Sequence, residues 1–260
     1  MEKTSFLIET ALLTHGLRSI SNEELLQKWP WKHACLTWVD KGEIKIGTME
    51  EFLPFRNRAA EVIRIDCDHL ESSCAMKISG ALTASGTMAA AHKLGISLAI
   101  TAGMGGISDI KGETLCADLL ALVNIPVVLI STSPKDVVDI AGTIAWLKKN
   151  GVTVLGCYRD VCSGFMCIEN AVKLSGIYAG QKLREKMLLL QEIPEELRLK
   201  DPDIIVKAKQ AGKDAETRGE FYHPAANGKI DELSYGRSSQ LQLNSLIANA
   251  KLAEKISTKA

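Results

Sequence analysis

The sequence predicts an α/β fold in which a mostly parallel central sheet carries helices on both faces, a three-layer arrangement. Three observations carry that expectation. Short, continuously apolar runs of strand length recur through the middle of the chain, as strands buried on both sides require. Between them lie segments with helical spacing of apolar residues, so strand and helix alternate as in βαβ units. No internal repeat, low-complexity tract or linker interrupts the 260 residues, so one α/β domain is expected over 1–260, with a C-terminal helical segment over about 172–257.

Taken in order, "FLIE" closes a short strand on Glu9, "NEELLQKW" is a short helix, and "ACLTWVDKGEIKIG" is a hairpin turning near Asp40-Lys41-Gly42. "ASGTMAAAHKLG" is a small-residue helix stopped by Gly95, and "SLAIT" is the strand after it. "TLCADLLALV" is helical, "PVVLI" is a strand, "DVVDIAGTIAWLKKN" is a helix ending at Gly151, and "VTVLG" is a strand. The stretch from Val172 to Lys213 is charged and expected to be largely helical, and Ser238 to Ser257 forms a last amphipathic helix. In such a fold, ligands bind at the carboxyl ends of the strands.

Composition excludes several partners. Lys plus Arg and Asp plus Glu both total 31, so no net charge argues for nucleic acid or an anionic membrane. No stretch approaches the roughly 20 apolar residues of a spanning helix. The N-terminus lacks a signal-peptide pattern, and seven scattered cysteines suit free thiols in a reducing cytoplasm. Cys157, Cys162 and Cys167 recur at five-residue intervals, which is not CxxC spacing, and are expected to be buried or incidental thiols.

Within this frame "STSPKDVVDI" stands out. Ser133 has the grammar of an N-cap, Pro134 of the first helical position and Asp136 of the third, as in a capping box. Lys135 would then sit in the first helical turn, where the dipole disfavours a cation and favours the neutral amine that Schiff-base chemistry uses. Asp139, four residues on, shares its face. Spacing alone leaves two readings: a nucleophile oriented by Asp139, or a solvated lysine in an ordinary i,i+4 pair.

Glu9, at a strand end, is either a half-buried general acid or an exposed acid in a turn. His15 in "THGL" is either a ligand-facing turn residue or a satisfied turn histidine. Gly103, Gly105 and Gly106 in "TAGMGGISD" form a Gly-rich loop placed to wrap an anion with backbone N–H groups, without Rossmann or Walker spacing.

Together these segments resemble one family, the pseudouridine-5′-phosphate glycosidases, also called indigoidine synthase A-like proteins. The likeness runs with gaps from about Leu7 to Ile256. It is carried by "LIETALLTHGL", the hairpin "ACLTWVDKGEIKIGTMEEF", "GALTASGTMAAAHKLGI", "ITAGMGGI", "CADLLALVNIPVVLISTSPKDVVDI", "GVTVLG", "LLLQEIPEE" and "YGRSSQLQLNSLIANAKLAEKI", all in order. The resemblance implies an indigoidine synthase A-like fold and reversible cleavage of the C–C glycosidic bond of a pseudouridine phosphate to uracil and ribose 5-phosphate. It implies a lysine imine with the ring-opened sugar, Lys135 in the nucleophile position and Glu9 as proton donor. It further implies substrate contacts from Lys77, Thr83, the Gly loop, Cys116, Ala117, Asp118, His15, and Gln242 or Asn244. A manganese ion, a homotrimer and no organic cofactor are implied as well.

Departures from the family pattern are visible too. The Lys-x-Ser-Arg-Arg-Asp segment is reduced to "MKISG", which matches Lys77 and Ser79 to its start. Thr114 falls where the family has its manganese-holding Asp, with Glu113 beside it, and Cys116 replaces the usual Ser of Ser-Ala-Asp. After "VTVLG", a Cys-containing stretch replaces a Pro-aromatic segment. The expected function is therefore a C-glycosidase acting on a pseudouridine 5′-phosphate-like C-nucleotide. The alternatives are a Schiff-base lyase or synthase on another C-ribosyl or sugar phosphate compound, or a non-catalytic nucleotide- or sugar-phosphate-binding paralogue.

Overall fold

Segments of the chain that lie far apart in sequence become neighbouring strands of one sheet. The structure, a computed structural model, describes residues 4–111, 114–220 and 222–258. Its strands are β1 (Leu7–Ile8), β2 (Leu36–Asp40), β3 (Glu43–Gly47), β4 (Ile63–Ile65), β5 (Gly80–Leu82), β6 (Leu98–Ile100), β7 (Val128–Ser131), β8 (Thr153–Gly156), β9 (Val161–Cys162), β10 (Val172–Lys173), β11 (Gly176–Ile177) and β12 (Met187–Leu190). Its helices are α1 (Asn22–Lys28), α2 (Met49–Arg56), α3 (Leu70–Ala75), α4 (Ala84–Lys93), α5 (Ala117–Asn124), α6 (Ile140–Lys149), α7 (Asp203–Thr217), α8 (Tyr222–Leu233) and α9 (Arg237–Ser257).

Among the described residues, ten strands form the main sheet in the order β11-β8-β12-β7-β6-β1-β2-β5-β4, with β3 paired to β2. All its pairings are parallel except β2–β3 and β2–β5. Successive strand residues point to opposite faces, and the sequence exploits this throughout. Ile8, Ile100, Ile130 and Leu189 enter the core beneath α9, with Leu243, Leu246 and Ala250. Leu7, Ala99, Leu129 and Leu188 enter the core beneath α4, α5 and α6, with Met88, Leu122 and Leu147. A strand that feeds two cores has no polar face to show, which explains the uninterrupted apolar runs.

The helix starts follow their caps. Thr48 and Glu51 form a reciprocal capping box at α2, Thr83 Oγ1 accepts from Gly86 N at α4, and Gly95 turns the chain out of α4 at φ +71°.

Two sequence expectations are corrected. The helix expected from Ser133 begins at Ile140, with Asp139 as N-cap accepting from Gly142 N at 2.9 Å. The preceding residues are committed elsewhere: Met104 N donates to Ser133 O, Lys135 N to Met104 O and Asp139 N to Ile107 O. A segment paired with the Gly loop cannot also wind into a helix.

The expected helical stretch over 172–213 instead carries β10, β11 and β12 and a single 3₁₀ turn at Glu195–Leu197, and α-helix starts only at Asp203. Met187–Leu190 inserts between β7 and β8, with Leu189 opposite both Ile130 and Leu155. A four-residue apolar run in charged surroundings is too short to show its period, and its partners are remote in sequence. No described helix is long and apolar enough to cross a membrane.

The cap assignment gives a first test. Asp139→Ala should cost about 1 kcal/mol of stability, the usual worth of an N-cap, in thermal or urea melts. Loss of catalysis without loss of stability would restore Asp139 to the lysine's chemistry.

Candidate active site

Three adjacent strands, β1, β6 and β7, end together and each delivers one component. β1 hands over to Glu9, whose N–H donates to Ile100 O at 3.0 Å. β6 continues into Thr101 and the Gly loop, and β7 into the segment carrying Lys135, with Thr132 N donating to Ala102 O at 2.9 Å. Glu9, Gly103 and Lys135 line one cavity of about 110 Å³. A five-residue π-helical turn, Leu12–Gly16, follows β1 and brings Leu12 and His15 into the same cavity. Such wide turns are frequent at functional sites.

Glu9 is 6% exposed, and its Oε1 accepts from Thr101 Oγ1 at 2.6 Å. Burial pushes its carboxyl above the ordinary range; Lys135 and the Thr101 hydroxyl pull the other way without cancelling that effect. The electrostatic influence of Lys135 also places the lysine near the acid. Lys135 is half-buried, while Asp139 is exposed, engaged with Gly142 and outside the lining of the cavity. The expected Lys135–Asp139 pair on one helix face does not form, because that helix starts later.

Behind this cavity the N-termini of α4 and α5 meet. Thr83 caps α4, Cys116 stands at the cap position of α5, and Ala117 opens it. Asp118, 6% exposed, joins them: Oδ1 accepts from Ser85 N at 2.9 Å and Oδ2 from Gly105 N at 2.8 Å. This alters the reading of the Gly loop, since the Gly105 N–H serves Asp118. The glycines answer to close packing instead. A Cβ at Gly105 would lie 2.2 Å from Cys116 Sγ, and one at Gly106 would lie 2.4 Å from Thr143 Oγ1.

Lys77 is not brought to the site. It is exposed, with φ +56°, beside the turn of the β2–β3 hairpin, where a Cβ at Gly42 would come within 2.9 Å of its Cα. Arg64, on β4, lines the cavity instead and bears electrostatically on both Glu9 and His15. Sequence reasoning missed it; Arg64 sits at the centre of the short strand in "VIRID", beside β5, and no local pattern marks it.

Gln242 lines the cavity as expected, but Asn244 lies on the exposed side of α9. The buried asparagine is Asn249, seven residues after Gln242 and so on its face. Its Nδ2 donates to Thr101 O at 2.8 Å and to Thr132 Oγ1 at 3.0 Å. His15 Nε2 lies 3.2 Å from both Ala59 O and Val62 O, so it carries the hydrogen, and burial holds the imidazole below its ordinary value.

Glu113, expected as a metal ligand, lies outside the described residues. Among those described, no three His, Cys, Asp or Glu side chains gather to hold an ion, and both Asp118 oxygens already accept N–H bonds. A larger cavity of about 340 Å³ opens at the ends of β8 and β12, where Arg159 is bound to Glu192 and Glu195. Its cation is already neutralised there.

A buried acid and a lysine gathered at the carboxyl ends of central parallel strands make this cavity the candidate site of an α/β enzyme. The chain belongs to the indigoidine synthase A-like family, whose description is "Indigoidine synthase A like protein" and which matches residues 7–259. Similar chains include the pseudouridine-5′-phosphate glycosidase of Caldanaerobacter subterraneus subsp. tengcongensis, 27% identical over 96% of this chain and 89% of that one. The protein of that name from Staphylococcus aureus is 28% identical over the same shares. Among solved structures, an indigoidine synthase A-like protein from Thermotoga maritima superposes with a TM-score of 0.80 at 21% identity, covering 98% of this chain and 92% of that one. The prealnumycin C-glycosynthase AlnA, in complex with ribulose 5-phosphate, gives 0.75 at 21% over 98% and 91%.

Glu9 yields a test with a definite sign. Its folded-state value is raised, so the stability contributed by the neutral acid is present below the ordinary glutamate value and is lost as pH rises through the raised one. Glu9→Gln keeps an oxygen for Thr101 and removes that loss. The variant should melt higher than wild type at pH 8, with the difference closing towards pH 4. An equal difference at both pH values would refute a raised Glu9.

Proposed function

We propose that the chain cleaves, reversibly, the C–C glycosidic bond of a pseudouridine 5′-phosphate-like C-nucleotide, giving a free base and ribose 5-phosphate. The observation that carries this reading is the shared cavity: Lys135 and a buried Glu9 face the same small space, with Arg64 as a further cation. The names of the relatives supply the substrate class.

In this reading the Lys135 amine bonds to sugar C1 as the ribose ring opens, and Glu9 delivers a proton. A carbon leaving group has no basic heteroatom to protonate, so the nitrogen on C1 must take over as the electron-rich partner. Its lone pair forms the C=N bond as the C–C bond breaks, and the electrons of that bond pass to the base carbon, which takes a proton. Water then hydrolyses the imine, returning the amine and ribose 5-phosphate. The raised value of Glu9 keeps it protonated over a wider pH range, as a proton donor needs. Arg64 suits the substrate phosphate.

Incubation with ribose 5-phosphate and borohydride should leave the reduced sugar on Lys135, mapped by mass spectrometry. Folded Lys135→Ala should carry none and should release no uracil from pseudouridine 5′-phosphate. Absence of the Lys135 adduct in wild type would overturn the imine. Uracil release with and without manganese decides whether the ion takes part.

A further inference from the structure

Directly after Lys135 comes a carboxylate that the reaction above does not use. Asp136 is 3% exposed and faces away from the cavity, into the core. Its Oδ1 accepts from Phe165 N at 2.8 Å, and its Oδ2 accepts from Met166 N at 2.9 Å and Cys167 N at 3.2 Å. Three successive N–H groups around one carboxylate form an anion-binding nest, here filled by the chain's own side chain.

The nest belongs to the Cys-containing stretch that departs from the family pattern. Its far side is held by Arg198, which is fully buried. Arg198 Nη1 donates to Ser163 O at 2.9 Å, and Nε donates to Ile193 O at 2.8 Å. Leu199 N donates to Met166 O at 2.8 Å. Gly164 makes the tight turn possible at φ +110°, where a Cβ would lie 2.4 Å from Cys167 O. From this loop the Phe165 ring reaches the active site, lying 2.8 Å from where a Cβ of Gly103 would stand.

We propose that Asp136 is a positioning residue for Lys135: by gathering the N–H groups of 165–167 it locks that loop against the lysine segment and fixes the direction of the amine. The proposal rests on the imine reading and deepens it. The lysine backbone is tied on one side by Lys135 N to Met104 O. Its successor is tied on the other by the nest, so the chain at Lys135 has little freedom to rotate. The same loop packs Phe165 on Gly103, so amine and cavity wall are set by one assembly.

Stability alone gives a poor account of the arrangement. Burying a carboxylate is expensive even when its partners are good. Burial pushes Asp136 up to about 6 despite the three N–H bonds, with Glu169 adding to the rise. A costly acid retained beside the proposed nucleophile fits a feature of the site better than a feature of the core.

The test compares wild type, Asp136→Asn and Gly164→Ala in the borohydride trap, over a range of ribose 5-phosphate concentrations. Asparagine offers one oxygen and turns an NH₂ group on the remaining N–H donors. Gly164→Ala leaves Asp136 intact and displaces the nest. In folded variants the trapping rate at saturating sugar should fall by about 10- to 100-fold, the effect of an ångström-scale misplacement. Half-saturation should shift by less than about threefold, because the groups expected to hold the phosphate are untouched.

If Asp136→Asn does not fold, Gly164→Ala carries the same comparison. Unchanged trapping in folded variants overturns the proposal. So does a fall in rate and affinity together, in step with lost stability, which would make the nest a scaffold only. Absence of an adduct in wild type would instead remove the imine reading on which the proposal stands.

Discussion

The structure turns on a choice made by the residues between β7 and α6. Their backbone groups are given to the Gly loop, through Met104 to Ser133 and Lys135 and through Ile107 to Asp139, and not to the first turn of a helix. The Met104–Pro134 bridge extends the parallel register of β6 and β7 beyond the strands, Ile107 then pairs antiparallel with Asp139, and the lysine is kept at the rim of the sheet. Had the helix begun at Ser133, Lys135 would have been carried along a helical surface. A delayed start lets Asp139 cap α6 while Lys135 stays beside Glu9 and Gly103.

Around that pairing, three buried acids are treated in different ways. Asp118 is met by two N–H groups and works as a tie between α4, α5 and the Gly loop. Asp136 is met by three N–H groups and ties the lysine segment to loop 163–167. Glu9 has one hydroxyl partner and opens on the cavity with Lys135 across from it. A carboxyl saturated by N–H donors fixes the backbone around it, whereas one left with a single donor and a solvent path can exchange its proton. Side-chain environment, more than residue type, separates tie from acid.

The sequence made the fold legible where the local signal was complete. The hairpin over Leu36–Gly47, the small-residue helix α4, strands β6 to β8 and helix α9 follow from period, cap and turn residues within their own segments. Met187–Leu190 was illegible because its reason for being a strand lies in β7 and β8, far away in the chain. At the site, Glu9, Lys135, His15 and Gln242 are brought to one cavity. Lys77 and Asn244 were placed by matching residue type along the chain, and both face elsewhere. Arg64 lines the cavity from the middle of β4 and Asn249 is buried on the inner face of α9, placements that residue type does not show.

The loop after β8 is built around the lysine segment and not only around itself. The Cys-containing stretch after β8 supplies the Phe165 ring against Gly103 and the N–H groups around Asp136. Arg198 holds it through the carbonyls of Ser163 and Ile193. These parts are mutually dependent: a buried guanidinium without the carbonyls, or a buried carboxylate without the N–H groups, would be destabilising by several kcal/mol. They are therefore one unit, a loop with its own anchors. A loop that carries buried partners of both charges stiffens the segment behind Lys135.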